Sequence, residues 1–424
     1  MLDRTIAPAY RQVDQINFIP AKEYTLDNGL RLHVVDAGDQ DLVRIEFIFD
    51  NVAWQEDKPL QAFAVSSMLT DGTSTMTGAQ IAEKIDYYGA FLQADYNYDN
   101  STVTLYSLNK HLRHTLPLVR SVLTDSVFPQ EELDTFVRNH KQSLSVNLEK
   151  NDFVGRRQFN HALFGNTLYG YTIGDSDYDR VTREQLLEYF RTAYQLSNCT
   201  IVVSGKVTFE TTSILNELFG KEPLAPLQAT PNRFRFEAGP GREYYIERPG
   251  ALQSAIRMGM VAINRTHPVF AGLQVVNTIL GGYFGSRLMA NIREDKGFTY
   301  GIGSALVSLR NAGYFFIATE VGVDVCPAAL EEIEKEISRL KTETVPEDEL
   351  ALVRNYMLGS LLGGLENAFS HADKFKNIYP YGLGYDYYER YIKTVETITP
   401  AEVLELANKY LDLQAFNRVV VGKK

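Results

Sequence analysis

The sequence predicts an α+β protein built as two tandem copies of one domain. Three observations lead there: residues near the end of one half recur 217 positions later, period-two and helical hydrophobic patterns occur in both halves, and a proline- and glycine-punctuated stretch separates them. Val181-Thr182-Arg183-Glu184-Gln185-Leu186-Leu187 through Ile201-Val202-Val203-Ser204-Gly205-Lys206 resembles Ile398-Thr399-Pro400-Ala401-Glu402-Val403-Leu404 through Val419-Val420-Val421-Gly422-Lys423. Thr182 to Thr399, Gly205 to Gly422 and Pro129 to Pro346 share the offset of 217, and chance matching of short helix-strand endings does not produce three equal offsets. Between the halves, residues 221–242 hold Pro223, Pro226, Pro231, Pro240, Gly239 and Gly241 and read as a linker. The expected domains are therefore residues 1–220 and 243–424, both within the usual domain size.

Taken in chain order, Leu26-Asp27-Asn28-Gly29-Leu30 opens a β-rich stretch in which Val43, Ile45, Phe47 and Phe49 alternate with period two. Thr77 and Gln80 form a capping-box pattern that starts a helix carrying Ile81 and Ile85 on one face, with Gly89 placed to end it. Phe91 to Tyr106 reads as two strands joined at Asp99-Asn100. In the second half, Ser304 to Leu309 and Tyr314 to Val321 read as strands flanking Arg310-Asn311-Ala312-Gly313, and Leu330, Ile333, Ile337 and Leu340 keep helical spacing behind Pro327.

Composition narrows the function. The 424 residues are 45% hydrophobic and 22% charged, enough for a large core, and the formal charge of −11 with no Lys/Arg-rich run repels phosphate backbones and anionic lipid. Nucleic acid and membrane surfaces are not expected partners. Cys199 and Cys326 lie far apart without a CxxC or Cys/His cluster and read as buried small hydrophobes. The opening Met1-Leu2-Asp3-Arg4-Thr5 shows no basic-then-apolar leader pattern, so the expected compartment is the cytoplasm, or the periplasm if a leader was removed. Of the seven histidines, only His111 and His114 have ligand-like spacing, and no neighbouring carboxylate completes a set.

Leu280-Gly281-Gly282-Tyr283-Phe284-Gly285-Ser286-Arg287-Leu288, then Arg293-Glu294-Asp295-Lys296-Gly297-Phe298-Thr299-Tyr300, resembles the C-terminal segment of the M16 peptidases, the insulinase and mitochondrial-processing-peptidase-like family. No Gly-Lys-Ser/Thr follows Gly281 to Ser286, so this is not a phosphate loop. The resemblance, which extends over the whole chain, implies two LuxS/MPP-like domains, each a largely antiparallel sheet packed with helices. In zinc-bearing members an HxxEH motif on a helix sets two histidines on one face with a glutamate reaching the metal-bound water, and a later glutamate completes the ligands. Counted back from Gly72-Thr73, which resembles the Gly-Thr after that motif, the positions fall on Phe63, Ser66 and Ser67, and the region of the third ligand, Gln142-Ser143-Leu144-Ser145, has no carboxylate. The resemblance thus implies no metal in this chain. It also implies a role for Arg293 and Tyr300, seven residues apart, as donors to the scissile carbonyl of a peptide.

Keeping this pair without zinc ligands resembles one subunit of the two-subunit bacterial M16 enzymes, whose HxxEH-bearing paralogue holds the zinc. Such a heterodimer closes as a clamshell around unfolded or small flexible polypeptides, held by strand addition. The competing expectations are a structural subunit like the core proteins of the respiratory bc1 complex, a homodimeric peptide binder without hydrolysis, and an independently active enzyme with unconventional ligands. Tyr379 to Tyr388 is rich in tyrosine, and packing is its commoner explanation.

Overall fold

A computed structural model describes residues 13, 15–227, 229–237 and 239–423. The opening residues on which the leader reading rests, and positions 228 and 238 of the linker, lie outside the described residues. Eleven strands, counted among the described residues, form two sheets. The first contains β1 (Lys22–Thr25), β2 (Arg31–Asp36), β3 (Leu42–Asp50), β4 (Phe91–Tyr96), β5 (Asn100–Leu108) and β6 (Cys199–Gly205) in the order β1-β2-β6-β3-β5-β4. The second contains β7 (Glu243–Glu247), β8 (Gln253–Ala262), β9 (Ile302–Ser308), β10 (Gly313–Gly322) and β11 (Asn417–Gly422) in the order β7-β11-β8-β10-β9. Apart from β1, the two orders are the same. Only β2 with β6 and β7 with β11 run parallel, so the largely antiparallel, duplicated α+β fold is borne out.

The helices keep the repeat as well. Arg183–Ala193 recurs as Pro400–Tyr410, Gln130–Leu148 as Glu347–Gly363, and Asn151–Phe164 as Ala368–Ile378. Thr182 and Thr399 both cap their helices through a capping box, so the sequence signal that revealed the duplication is a helix start with a physical job. Thr77 does the same for helix Gly78–Tyr87, and Gly89 takes a positive φ of 58° after it.

Each sheet buries both faces. On one face Ile45, Phe47 and Val203 join Leu116, Val119 and Leu186; in the second half Ile256, Met258 and Val420 join Ile333, Ile337 and Val403. The other face is covered by a helix from the opposite half. Ala372 and Phe375 of helix Ala368–Ile378 cover Val35 and Val202, while Phe159, Leu163 and Phe164 of helix Asn151–Phe164 cover Val261, Val419 and Val421. The continuous apolar runs of β6 and β11 follow from this two-sided burial. The stretch between the halves is packed too: Phe236 meets Phe164 at 5.0 Å, and Asn232 exchanges hydrogen bonds with Asn51 and Trp54. The β4–β5 and β9–β10 turns touch, with the Arg310 amide donating to Asp99 at 2.9 Å and its guanidinium bonded to Asp50. Cys199 and Cys326 are both buried.

Under the exchanged helix, His33 of β2 is 3% exposed, its ring 4.8 Å from Phe375 and 4.6 Å from Tyr379, and its Nε2 has no hydrogen-bond partner among the described residues. Burial pushes its pKa below the usual histidine value. A histidine depressed in the folded state contributes stability that is complete above about pH 6.5 and lost as pH falls toward the folded value. Thermal melts between pH 7 and 5 should therefore fall less steeply for His33→Phe than for the wild type; equal slopes would refute this.

Candidate functional site

Two places follow from the sequence. In the first half, helix Gln61–Met68 carries Phe63, Ser66 and Ser67. It runs beside β4 and helix Gln130–Leu148, the element that bears Gln142 to Ser145. Phe63 packs its ring 5.6 Å from Tyr96, 5.7 Å from Phe136 and 5.2 Å from His140. Ser66 is 1% exposed, beside the Tyr194 phenol but without a hydrogen bond of good geometry to it, and Ser67 faces solvent. Burial pushes the Tyr194 phenol up to about 12, with Ser101 and Ser66 pulling the other way. An aromatic cluster therefore fills the space between the two helices.

These residues do not fit a zinc ion. Phe63 has no lone pair, a serine hydroxyl is not a usual ligand, and no group of three His, Cys, Asp or Glu residues able to hold a metal occurs among the described residues. His140 is the histidine the sequence gave no reason to choose. Its Nδ1 bonds the Phe136 carbonyl at 2.9 Å, so the proton sits there and Nε2 keeps a lone pair, but a single imidazole is not a site. His111 and His114 pack around Tyr88, His114 stacked at 4.9 Å, as aromatic neighbours. The chain dialysed against zinc and then buffer should retain well under one zinc per molecule, with a thermal midpoint indifferent to chelator. A stoichiometric ion whose removal lowers the midpoint would overturn this.

In the second half, Thr278–Gly282 and Met289–Asp295 are wide helical turns whose inner residues Ile279, Leu280 and Ile292 are fully buried. Gly281 is required by close approach: an added Cβ would meet Ser304 Oγ at 2.6 Å and its backbone N at 2.8 Å. Arg287 grips Glu349 of helix Glu347–Gly363 with two bonds of 2.8 Å, which fixes this segment against the second core. Arg293 leaves the last turn with its side chain 35% exposed, its guanidinium 4.7 Å from the Phe284 ring and 4.0 Å from Glu294. Gly297 then turns the chain with φ of 66°, a conformation that favours glycine.

Beyond it, the loop is braced on both sides of Tyr300. Phe298 packs against the second core, and its amide donates to the Ile292 carbonyl at 3.0 Å. Thr299 Oγ1 donates to the Glu320 carbonyl at 2.7 Å and contacts Thr319 Oγ1 at 3.0 Å. Tyr300 itself is 95% exposed. A tyrosine buried in a strand is thus ruled out. What the geometry offers is a phenol held out to solvent by a fixed loop and, one turn back, a partly exposed guanidinium propped on a ring that is itself 63% exposed. No hydrogen bond links Arg293 to Tyr300.

Comparison with known proteins gives a consistent picture. The family described as the Peptidase M16 inactive domain matches residues 180–357, which include Arg293 and Tyr300. The chain is 23% identical over 353 residues to "Uncharacterized zinc protease YmxG" of Bacillus subtilis, covering 82% of this chain and 85% of that one. It is 20% identical over 368 residues to "Non-peptidase homolog YmxG" of Helicobacter pylori, covering 85% and 83%. Among solved structures, a Peptidase M16 inactive domain from Pseudomonas fluorescens superposes with a TM-score of 0.81 at 20% identity over 95% of this chain and 98% of that one. A protease from Helicobacter pylori superposes with 0.86 at 14% identity over 96% and 100%. No helix among the described residues is long and apolar enough to cross a membrane.

Proposed function

We propose that this M16-type chain is the zinc-less subunit of a two-subunit metallopeptidase, binding peptide and presenting Arg293 and Tyr300 to the scissile carbonyl. The observation that carries the reading is the contrast between its two halves. Phe63 occupies the metal-motif position with an aromatic cluster, whereas Tyr300 is displayed on a braced loop that follows a partly exposed Arg293 by seven residues.

Peptide hydrolysis builds negative charge on the carbonyl oxygen, and a guanidinium with a phenolic hydroxyl supplies donors for that charge. The partner, an HxxEH-bearing paralogue, would hold the zinc that activates water. Substrates would be unfolded or small flexible polypeptides, whose main chain can be held without a particular sequence. The test is hydrolysis of an unstructured fluorogenic peptide, with zinc, by this chain alone and by its mixture with such a paralogue. Activity confined to the mixture supports the proposal. Activity of the pure chain refutes the zinc-less reading, and silence in every mixture is what a core-protein-like scaffold or a homodimeric peptide binder would give.

A further inference from the structure

Lys374 lines a groove of about 360 Å³ in the second half that contains no acidic residue. The groove lies between the end of helix Phe270–Asn277, the edge strand β9 and helix Glu347–Gly363, and Gln274, Asn277, Ser304, Tyr356 and Tyr391 line it with the lysine. In a chain of formal charge −11, a cavity whose lining holds one cation and no carboxylate stands out as a place for an anion. Lys374 belongs to helix Ala368–Ile378, whose Ala372 and Phe375 are committed to the first sheet, so its ammonium is carried on the side turned to the second half.

The donors are unused. Lys374 Nζ makes no hydrogen bond or ion pair with a described residue, and it lies where a Cβ added to Gly364 would come within 2.9 Å. That places it over the C-terminal end of helix Glu347–Gly363, where free carbonyls favour a cation. Burial pushes the Lys374 amine below its ordinary pKa, with Asp373 pulling the other way, so the charge is held at a cost that an incoming anion would relieve. Asn277 accepts from Ser304 Oγ through Oδ1 at 2.8 Å, which leaves Nδ2 directed over Gly282, where an added Cβ would lie 3.0 Å away. That amide also has no partner among the described residues.

We propose that this groove seats a carboxylate of the bound peptide, with Lys374 as counter-charge and the Asn277 amide as a second donor. An ammonium and a neutral amide lining one groove suit a carboxylate, which accepts at two oxygens. The inference rests on the reading that the chain holds peptides. It adds a direction: β9, which carries Ser304 in the groove, begins two residues after Tyr300, so the carboxylate sits on the β9 side of the bond being held. A peptide's C-terminal carboxylate and an acidic side chain near that end supply the same chemistry.

The test uses this chain alone and fluorescence anisotropy of an unstructured ten-residue peptide labelled at its N-terminus. Three forms are compared: free acid, C-terminal amide, and amide ending in Glu. The free acid should bind the wild-type chain about tenfold more tightly than the amide, the gap should vanish in Lys374→Gln, and it should persist in part in Lys374→Arg. Given that gap, a Glu-ended amide that binds like the acid extends the site to side-chain carboxylates, and one that binds like the plain amide restricts it to the terminus. Equal affinity of acid and amide for the wild type overturns the groove while leaving peptide holding intact, and this comparison needs no variant to fold. A preference that survives Lys374→Gln overturns Lys374 as the seat. No binding of any form overturns both the groove and the peptide-holding reading.

Discussion

In the mixture of this chain with an HxxEH-bearing paralogue, Arg293→Ala and Tyr300→Phe should each lower peptide hydrolysis about a hundredfold, the effect of removing one preplaced donor to a developing oxyanion. The loss should fall on turnover, because the donor is needed most when charge appears on the carbonyl. Folding provides the control. Tyr300 is 95% exposed, so deleting its hydroxyl touches no core contact and the thermal midpoint should not move. Arg293 gives up a contact with the Phe284 ring, which at such an exposed site is worth about 0.5–1 kcal/mol. Full activity in both variants, with the mixture otherwise competent, would remove the pair from the mechanism.

The largest effect on stability should come from Glu46→Ala. Glu46 is 3% exposed on β3 and lies 3.1 Å from Arg44, itself 6% exposed; Lys376 of the exchanged helix reaches Glu46 at 2.5 Å and Asp373 at 2.9 Å, and Arg44 bonds Asp373 at 2.8 Å. Burial pushes the Asp373 carboxyl up, but Lys376 and Arg44 outweigh it and hold it below the usual carboxylate range. Removing Glu46 takes away the buried carboxylate shared by Arg44 and Lys376 and leaves half-exposed Asp373 as their remaining partner, a loss on the order of 3 kcal/mol. Its counterpart in the repeat is Arg257: Glu46 stands opposite Val202 on β6, and Arg257 opposite Val419 on β11. Arg257 bonds Asp152 of the other exchanged helix at 2.8 Å, but Asp152 has a side chain 47% exposed, so Asp152→Ala should cost about 1 kcal/mol or less. Urea unfolding of the two variants measures the difference, and a Glu46→Ala cost no larger than that of Asp152→Ala would show that burial does not govern these pairs.

The two sites were legible to different depths. Phe63, Ser66 and Ser67 could be placed because Gly72-Thr73 fixes the register, and residues without suitable lone pairs are disqualified wherever the helix sits. The aromatic partners of Phe63 could not, because Tyr96, Phe136 and His140 come from a strand and a helix whose meeting depends on long-range packing. Arg293 and Tyr300 were marked by the resemblance of their segment, with its glycines and seven-residue spacing, to the C-terminal segment of the M16 peptidases. Whether Tyr300 was buried in a strand or displayed was decided by Thr299, whose hydroxyl ties the loop to the Glu320 carbonyl of β10 and leaves its neighbour outside. Lys374 gave no signal at all, since an ordinary lysine in a helix becomes distinctive only when the groove around it proves to lack acids.

By itself the sequence determined the duplication and the α+β class, which rest on local chemistry: caps at Thr182 and Thr399 and period-two strands. The ligand-poor positions 63, 66 and 67 and the Arg293/Tyr300 pair were expectations drawn from the resemblance to the M16 peptidases. Only the tertiary structure decided which half each helix serves. The apolar stripes of Asn151–Phe164 and Ala368–Ile378 say that those helices are buried, but a stripe carries no address, and it took the two-sided burial of β6 and β11 to send each helix to the other half's sheet.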